Sequence, residues 1–155
     1  MAYGNLLKGR RSIVGQEYLV TTACKRRMPV FSKKQNAERL INEFAREEAA
    51  DSATWIAWVV MPDHWHGLLS LGCNGDLSDL MRRINGRTSR ALGGHPWQGG
   101  FHDHALRSDE SRLSVARYLV SNPVRAGLVE SLREYPFWYC RWHREGDDPD
   151  CLLVR

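Results

Sequence analysis

The sequence predicts an α+β domain, a mainly antiparallel sheet with helices packed on it and an extra helix that carries a tyrosine. Three observations lead there. Short runs of β-forming or apolar residues alternate with longer stretches of helical period. Two of those runs, TWIAWVVM and HWHGLLSLG, are separated by Pro62-Asp63 alone, which makes them an antiparallel pair. The 155 residues suffice for one domain and one core, with roughly two-thirds of the unfolded surface buried.

Taken in order, a basic arm precedes a strand over 15–23, where Tyr18 to Thr22 are β-formers. From 33 to 50, Ala37, Leu40, Ile41 and Phe44 recur at helical spacing, with Glu43, Glu47 and Glu48 on a solvated side. Residues 54–61 are too few for a typical helix and apolar enough for a buried strand, and HWHGLLSLG is its partner. A second helix over 76–92 gathers Leu77, Leu80, Met81 and Ile84 on one face and ends at Gly93-Gly94. WQGGFHDHALR, 97–107, reads as a further strand. Ser108 with Asp109 and Glu110 would cap a third helix that Pro123 ends. The order β-α-β-β-α-β-α is of ferredoxin-like type. One domain is expected over 1–138, followed by a tail at 139–155 with no clear period.

Hydrophobic content of 43% and charged content of 26% are those of an ordinary globular chain. No apolar run approaches the roughly 20 residues a bilayer helix needs, and no secretory signal is evident. Cys24, Cys73, Cys140 and Cys151 lie far apart without a CxxC pair, so a reducing cytoplasm and free thiols are expected. The net charge of +4 is unevenly spread. Residues 1–34 hold eight Lys/Arg against Glu17, and residues 82–125 hold eight Arg against Asp103, Asp109 and Glu110. Two such blocks are either solvated faces or the walls of a phosphate-binding groove.

His64 and His66 alternate along a strand, so both imidazoles leave one face of the sheet, as metal ligands do. His102 and His104 repeat the spacing, and either pair alone also fits hydrogen-bonded surface histidines. On the third helix, projection at about 100° per residue puts Leu113, Ala116 and Val120 on one side and Tyr118 opposite. Asn122, four residues on, offers an amide oxygen. A phenol attacking a phosphodiester needs a cation to polarise the phosphate, and two imidazoles with an amide would leave coordination sites open for it. The chain has no glycine-rich phosphate loop, no GxSxG elbow and no carboxylate pair placed for two-metal catalysis.

MPDHWHGLLSLG resembles the histidine-hydrophobic-histidine (HUH) motif of the single-tyrosine transposases, with Trp65 in the hydrophobic position. WQGGFHDHALR followed by VARYLVSNPVRAGLV resembles the REP-associated tyrosine transposase branch, and GRRSIVGQEYLVTT looks like its first strand. The resemblance runs from Gly9 to Trp138 and implies a ferredoxin-like domain that cuts single-stranded DNA near palindromic hairpins. Tyrosine would be joined to a 5′ phosphate and a 3′ hydroxyl released, with Mg²⁺ or Mn²⁺ assisting. Carried over, His64 and His66 become metal ligands, Tyr118 the nucleophile, and Asn122 the third ligand, where many relatives have glutamine. Arg10, Arg11, Arg82, Arg83, Arg87, His104 and Arg107 are the candidate DNA contacts. A monomer is feasible, since one chain holds the whole set, and the sequence does not fix the oligomeric state. The acidic EGDDPD of the tail departs most from the family pattern. Two other readings stay open: a catalytically silent sequence-specific DNA binder, and a metal-dependent phosphoesterase without a covalent intermediate.

Overall fold

The computed structural model describes residues 13–153, in the order β1 (Glu17–Ala23), α1 (Lys34–Ala49), β2 (Ala53–Met61), β3 (His64–Leu71), α2 (Leu77–Leu92), β4 (His102–Ala105), α3 (Arg112–Val120), α4 (Asn122–Arg125) and β5 (Trp138–Cys140). The strands form one sheet, ordered β4-β1-β3-β2-β5, with every pairing antiparallel. The predicted α+β class holds, with helices on both faces.

Strand alternation divides the core into two layers. Val20, Trp55, Val60, Trp65 and Leu69 pack beneath α1 and α2, whereas Ala57, Val59, Met61 and Leu68 pack beneath Ala116, Leu119 and Val120 of α3. In the first layer Trp65 is fully buried against Phe44, with ring centroids 4.8 Å apart, and edge-on to Trp55 at 6.3 Å. Gly67 is demanded by this packing, because a Cβ there would meet the Trp55 ring at 2.7 Å.

The two helices of that layer are joined by an ionic clamp. Glu47 is buried, accepts from Arg83 Nε and Nη2 at 2.9 and 3.1 Å and from Arg87 Nη1 at 3.3 Å, and Arg87 also stands 3.8 Å from Glu43. Glu47, read from its spacing as solvated, is therefore inside, because α2 brings two guanidinium groups to meet it.

Four other expectations change. The strand expected over 97–107 shrinks to β4: Trp97 turns inward, its indole N–H donating to Asn85 O at 2.8 Å, and Gly100 at φ +76° breaks the run. The third helix starts later than Ser108. The Glu110 carboxylate is held in the preceding turn by His104 Nε2 at 2.8 Å and Arg107 N at 3.0 Å, and Ser111 caps α3 by accepting from Ser114 N. Pro123 does not simply end the helix; it lies in the first turn of α4, where its missing N–H costs nothing. The domain boundary expected after residue 138 falls inside β5, which pairs with β2, and the tail belongs to the fold. Leu152 is buried in the second layer, Asp150 accepts from Leu132 N at 2.8 Å, and Arg117 donates to the carbonyls of Leu152 and Leu153.

Candidate active site

On the face of β3 opposite Trp65 stand His64 and His66. With Trp65 locked in the core, both imidazoles are forced to the α3 side, their rings at 83° and centroids 4.7 Å apart. The register places Thr21 of β1 opposite His66, and Thr21 Oγ1 meets His66 Nδ1 at 2.8 Å. His64 Nδ1 donates to Asp63 Oδ1 at 2.6 Å, and Asp63 in turn lies 3.7 Å from Arg27. Both Nδ1 atoms are thus engaged and both Nε2 atoms are left for a ligand, the arrangement by which neighbouring groups orient metal-binding histidines.

The second half of the site comes from α3 and α4. Ala116, Leu119 and Val120 turn into the sheet, so Tyr118 lies on the opposite side and is 58% exposed, as the helix projection predicts. Leu113, placed by the same projection with the core residues, is instead 39% exposed, in the first turn of α3 just after the Ser111 cap. Asn122 donates from its amide nitrogen to Leu119 O at 2.7 Å, leaving the amide oxygen for a ligand. Tyr118, Asn122 and His66 line one cavity of about 270 Å³ with Leu19, Thr21, Val115, Leu119 and Arg125.

Burial pushes the His66 imidazole down to about 4, with electrostatic repulsion from the neighbouring His64, Arg125 and Arg27 acting the same way. His66 is therefore neutral at neutral pH and free to donate a lone pair. Among the described residues no group of three His, Cys, Asp or Glu converges as a metal site. A third protein donor would then be the Asn122 oxygen. Two oriented imidazoles and an amide oxygen fit a divalent cation that keeps open positions for phosphate oxygens.

Three partners in this site were not singled out from sequence. Thr21 and Asp63 depend on register and a turn. Arg125 did leave a signal, being seven residues, two helical turns, beyond Tyr118; its Cζ sits 3.8 Å from the centroid of the Tyr118 ring.

The expected DNA contacts scatter. Arg10 and Arg11 lie outside the described residues. Arg83 and Arg87 are committed to the glutamate clamp. Arg82 is exposed, 3.1 Å from Asp79, and borders a second hollow of about 350 Å³ with Met81, Gln98 and Phe101. His104 and Arg107 share the carboxylate of Glu110 at the β4 edge. The four cysteines are free thiols, and no helix among the described residues is long and apolar enough to cross a membrane.

An antiparallel α+β sheet presenting a histidine pair to a helix-borne tyrosine is the architecture of a single-tyrosine HUH domain. The chain belongs to the IS200-like transposase family, whose model matches residues 12–120. It is 33% identical over 91 residues to the REP-associated tyrosine transposase of Escherichia coli (strain K12), a match covering 57% of this chain and 54% of that protein. A Haemophilus influenzae relative is 27% identical over 106 residues, covering 58% of this chain and 59% of its own length. The chain thus spans a little over half the length of these relatives. Its fold is similar to that of a REP-associated tyrosine transposase solved bound to a REP hairpin, with a TM-score of 0.72 at 26% identity over 83% of this chain and 79% of the other.

Proposed function

We propose that this protein nicks and rejoins single-stranded DNA at hairpin-forming repeats through a covalent bond between Tyr118 and a 5′ phosphate. The observation that carries the reading is the cavity in which Tyr118, Asn122 and His66 meet, although Thr21 and Asn122 at its two sides are a hundred residues apart in the chain. Tyr118 Oη forms the new bond to phosphorus, the bond from phosphorus to the 3′ oxygen breaks, the phenolic proton passes to solvent, and the departing 3′ oxygen takes up a proton from solvent to become a hydroxyl. The bond energy is kept, so the released 3′ hydroxyl can attack the phosphotyrosine and restore the strand without a nucleotide cofactor.

A Mg²⁺ or Mn²⁺ ion held by His64, His66 and Asn122 would polarise the phosphate and neutralise developing charge. The chain's own part is positional. Thr21 and Asp63 fix the imidazoles, the α3–α4 turn sets Asn122 one helical turn beyond Tyr118, and Leu19, Val115 and Leu119 supply the cavity's apolar walls. Arg82, His104 and Arg107 are the described candidates for guiding the strand, and one chain carries the full residue set.

The test is a denaturing gel of the protein incubated with end-labelled hairpin strands and Mn²⁺. A protein-linked band is expected from wild type. A His64→Ala/His66→Ala double variant should lose that band while keeping most DNA affinity. Normal cleavage by the double variant at limiting Mn²⁺ rules out the metal role of the pair, and the absence of any linked band from wild type rules out the reaction.

A further inference from the structure

The cavity holds one group that the reaction as written leaves unused. Arg125 ends α4, and its guanidinium is folded back two turns so that Nη2 donates to Tyr118 O at 3.0 Å while Cζ lies 3.8 Å over the Tyr118 ring. That single hydrogen bond engages one of the five N–H donors that a guanidinium carries. Arginines of the neighbouring strand edge and helix start are neutralised by carboxylates: Arg107 by Glu110 and Arg112 by Glu17. Among the described residues no carboxylate stands within ion-pair distance of Arg125.

A fixed cation beside a neutral histidine is an unfavourable neighbour for a divalent ion as long as nothing lies between them. An anion entering the cavity reverses the sign, because it meets positive charge from both sides. A phosphodiester also presents two non-bridging oxygens, which suit the planar fork of a guanidinium. The stack on the Tyr118 ring adds a constraint of position: a phosphate bound to Arg125 is held next to the side chain that attacks it.

We infer that Arg125 is a ligand of the scissile phosphate itself, gripping the phosphodiester before attack and remaining paired with the phosphotyrosine afterwards. The inference rests on the reaction proposed above and adds to it the protein group that recognises the reacting phosphorus centre. It makes Arg125 a catalytic residue rather than a general contributor to basic surface charge.

The test separates the two ideas. Wild-type protein first locates the cut linkage through its linked product; absence of that product overturns the reaction, and Arg125 with it. Binding is then measured in a Tyr118→Phe background, where no bond is made, on the natural strand and on one with a neutral methylphosphonate at the cut linkage. Arg125→Ala should weaken binding of the natural strand by about tenfold or more, the scale of a hydrogen bond to a charged group. On the methylphosphonate strand the same substitution should change affinity less than about twofold, and a neutral linkage elsewhere should leave the full effect. Arg125→Gln, which keeps a polar but shorter and uncharged side chain, serves if the alanine variant fails to fold and should behave in the same way. An equal loss on both strands, or no loss on either while wild type still forms the linked product, overturns the assignment.

Discussion

Thr21→Val removes the single hydroxyl by which β1 holds a histidine of the candidate metal centre. The 2.8 Å contact with His66 Nδ1 is lost, while valine keeps the branched shape that a strand favours. Thr21 is half-buried, so the fold should lose about 1 kcal/mol, the net worth of one hydrogen bond. The imidazole should lose much more of its function. Without that partner its tautomer and ring angle are free, and removal of such an orienting contact typically lowers metal affinity by about 10- to 100-fold. Calorimetric titration of Mn²⁺ into wild type and variant at neutral pH measures this directly, with urea unfolding as the control for the fold. A folded variant that binds Mn²⁺ within twofold of wild type would refute the idea that Thr21 orients a metal-binding His66.

Other consequences follow from the same contacts. His66 is held near 4 in the folded state against an ordinary 6.5, so in the metal-free protein its stabilising contribution is complete above about 6.5 and is lost as pH falls toward 4. The loss should reach about 3 kcal/mol, and urea midpoints at several pH values should fall less steeply for His66→Gln; parallel curves would contradict the buried neutral imidazole. Glu47→Gln removes the buried anion that Arg83 and Arg87 share, leaving Arg87 the more distant Glu43 at 3.8 Å, and should cost about 2 to 4 kcal/mol, read by denaturant unfolding, a cost below 1 kcal/mol contradicting the clamp. Affinity for hairpin single strands should fall with salt by a slope of about −0.7 per neutralised phosphate, and salt-independent binding would contradict a phosphate-tracking surface.

The parts of this site that sequence revealed are those governed by local periodicity. Alternation along a strand is enough to put His64 and His66 on one face, and Trp65 between them announces which face is core. Helical projection is enough to turn Tyr118 outward. The partners that orient these residues arise from tertiary register. Thr21 meets His66 because β1 pairs with β3, a relation spanning 45 residues. Asp63 reaches His64 through the tight turn between β2 and β3. The clamp is hidden for a related reason: Arg83 and Arg87 read as candidate DNA contacts, and Glu47 as solvated, until packing of α1 against α2 brings them together. β5 was invisible because three residues carry no period, and its place is fixed by pairing with Ala57, Trp58 and Val59.

The central claim is that Tyr118 becomes covalently joined to DNA. Protein incubated with Mn²⁺ and a hairpin strand, then proteolysed and examined by mass spectrometry, should carry a nucleotide adduct on the peptide containing Tyr118. Tyr118→Phe, whose ring is 58% exposed and outside both core layers, should fold normally and carry none. An adduct on Tyr3, Tyr18, Tyr135 or Tyr139, or a folded Tyr118→Phe protein that still becomes linked to DNA, would contradict the account.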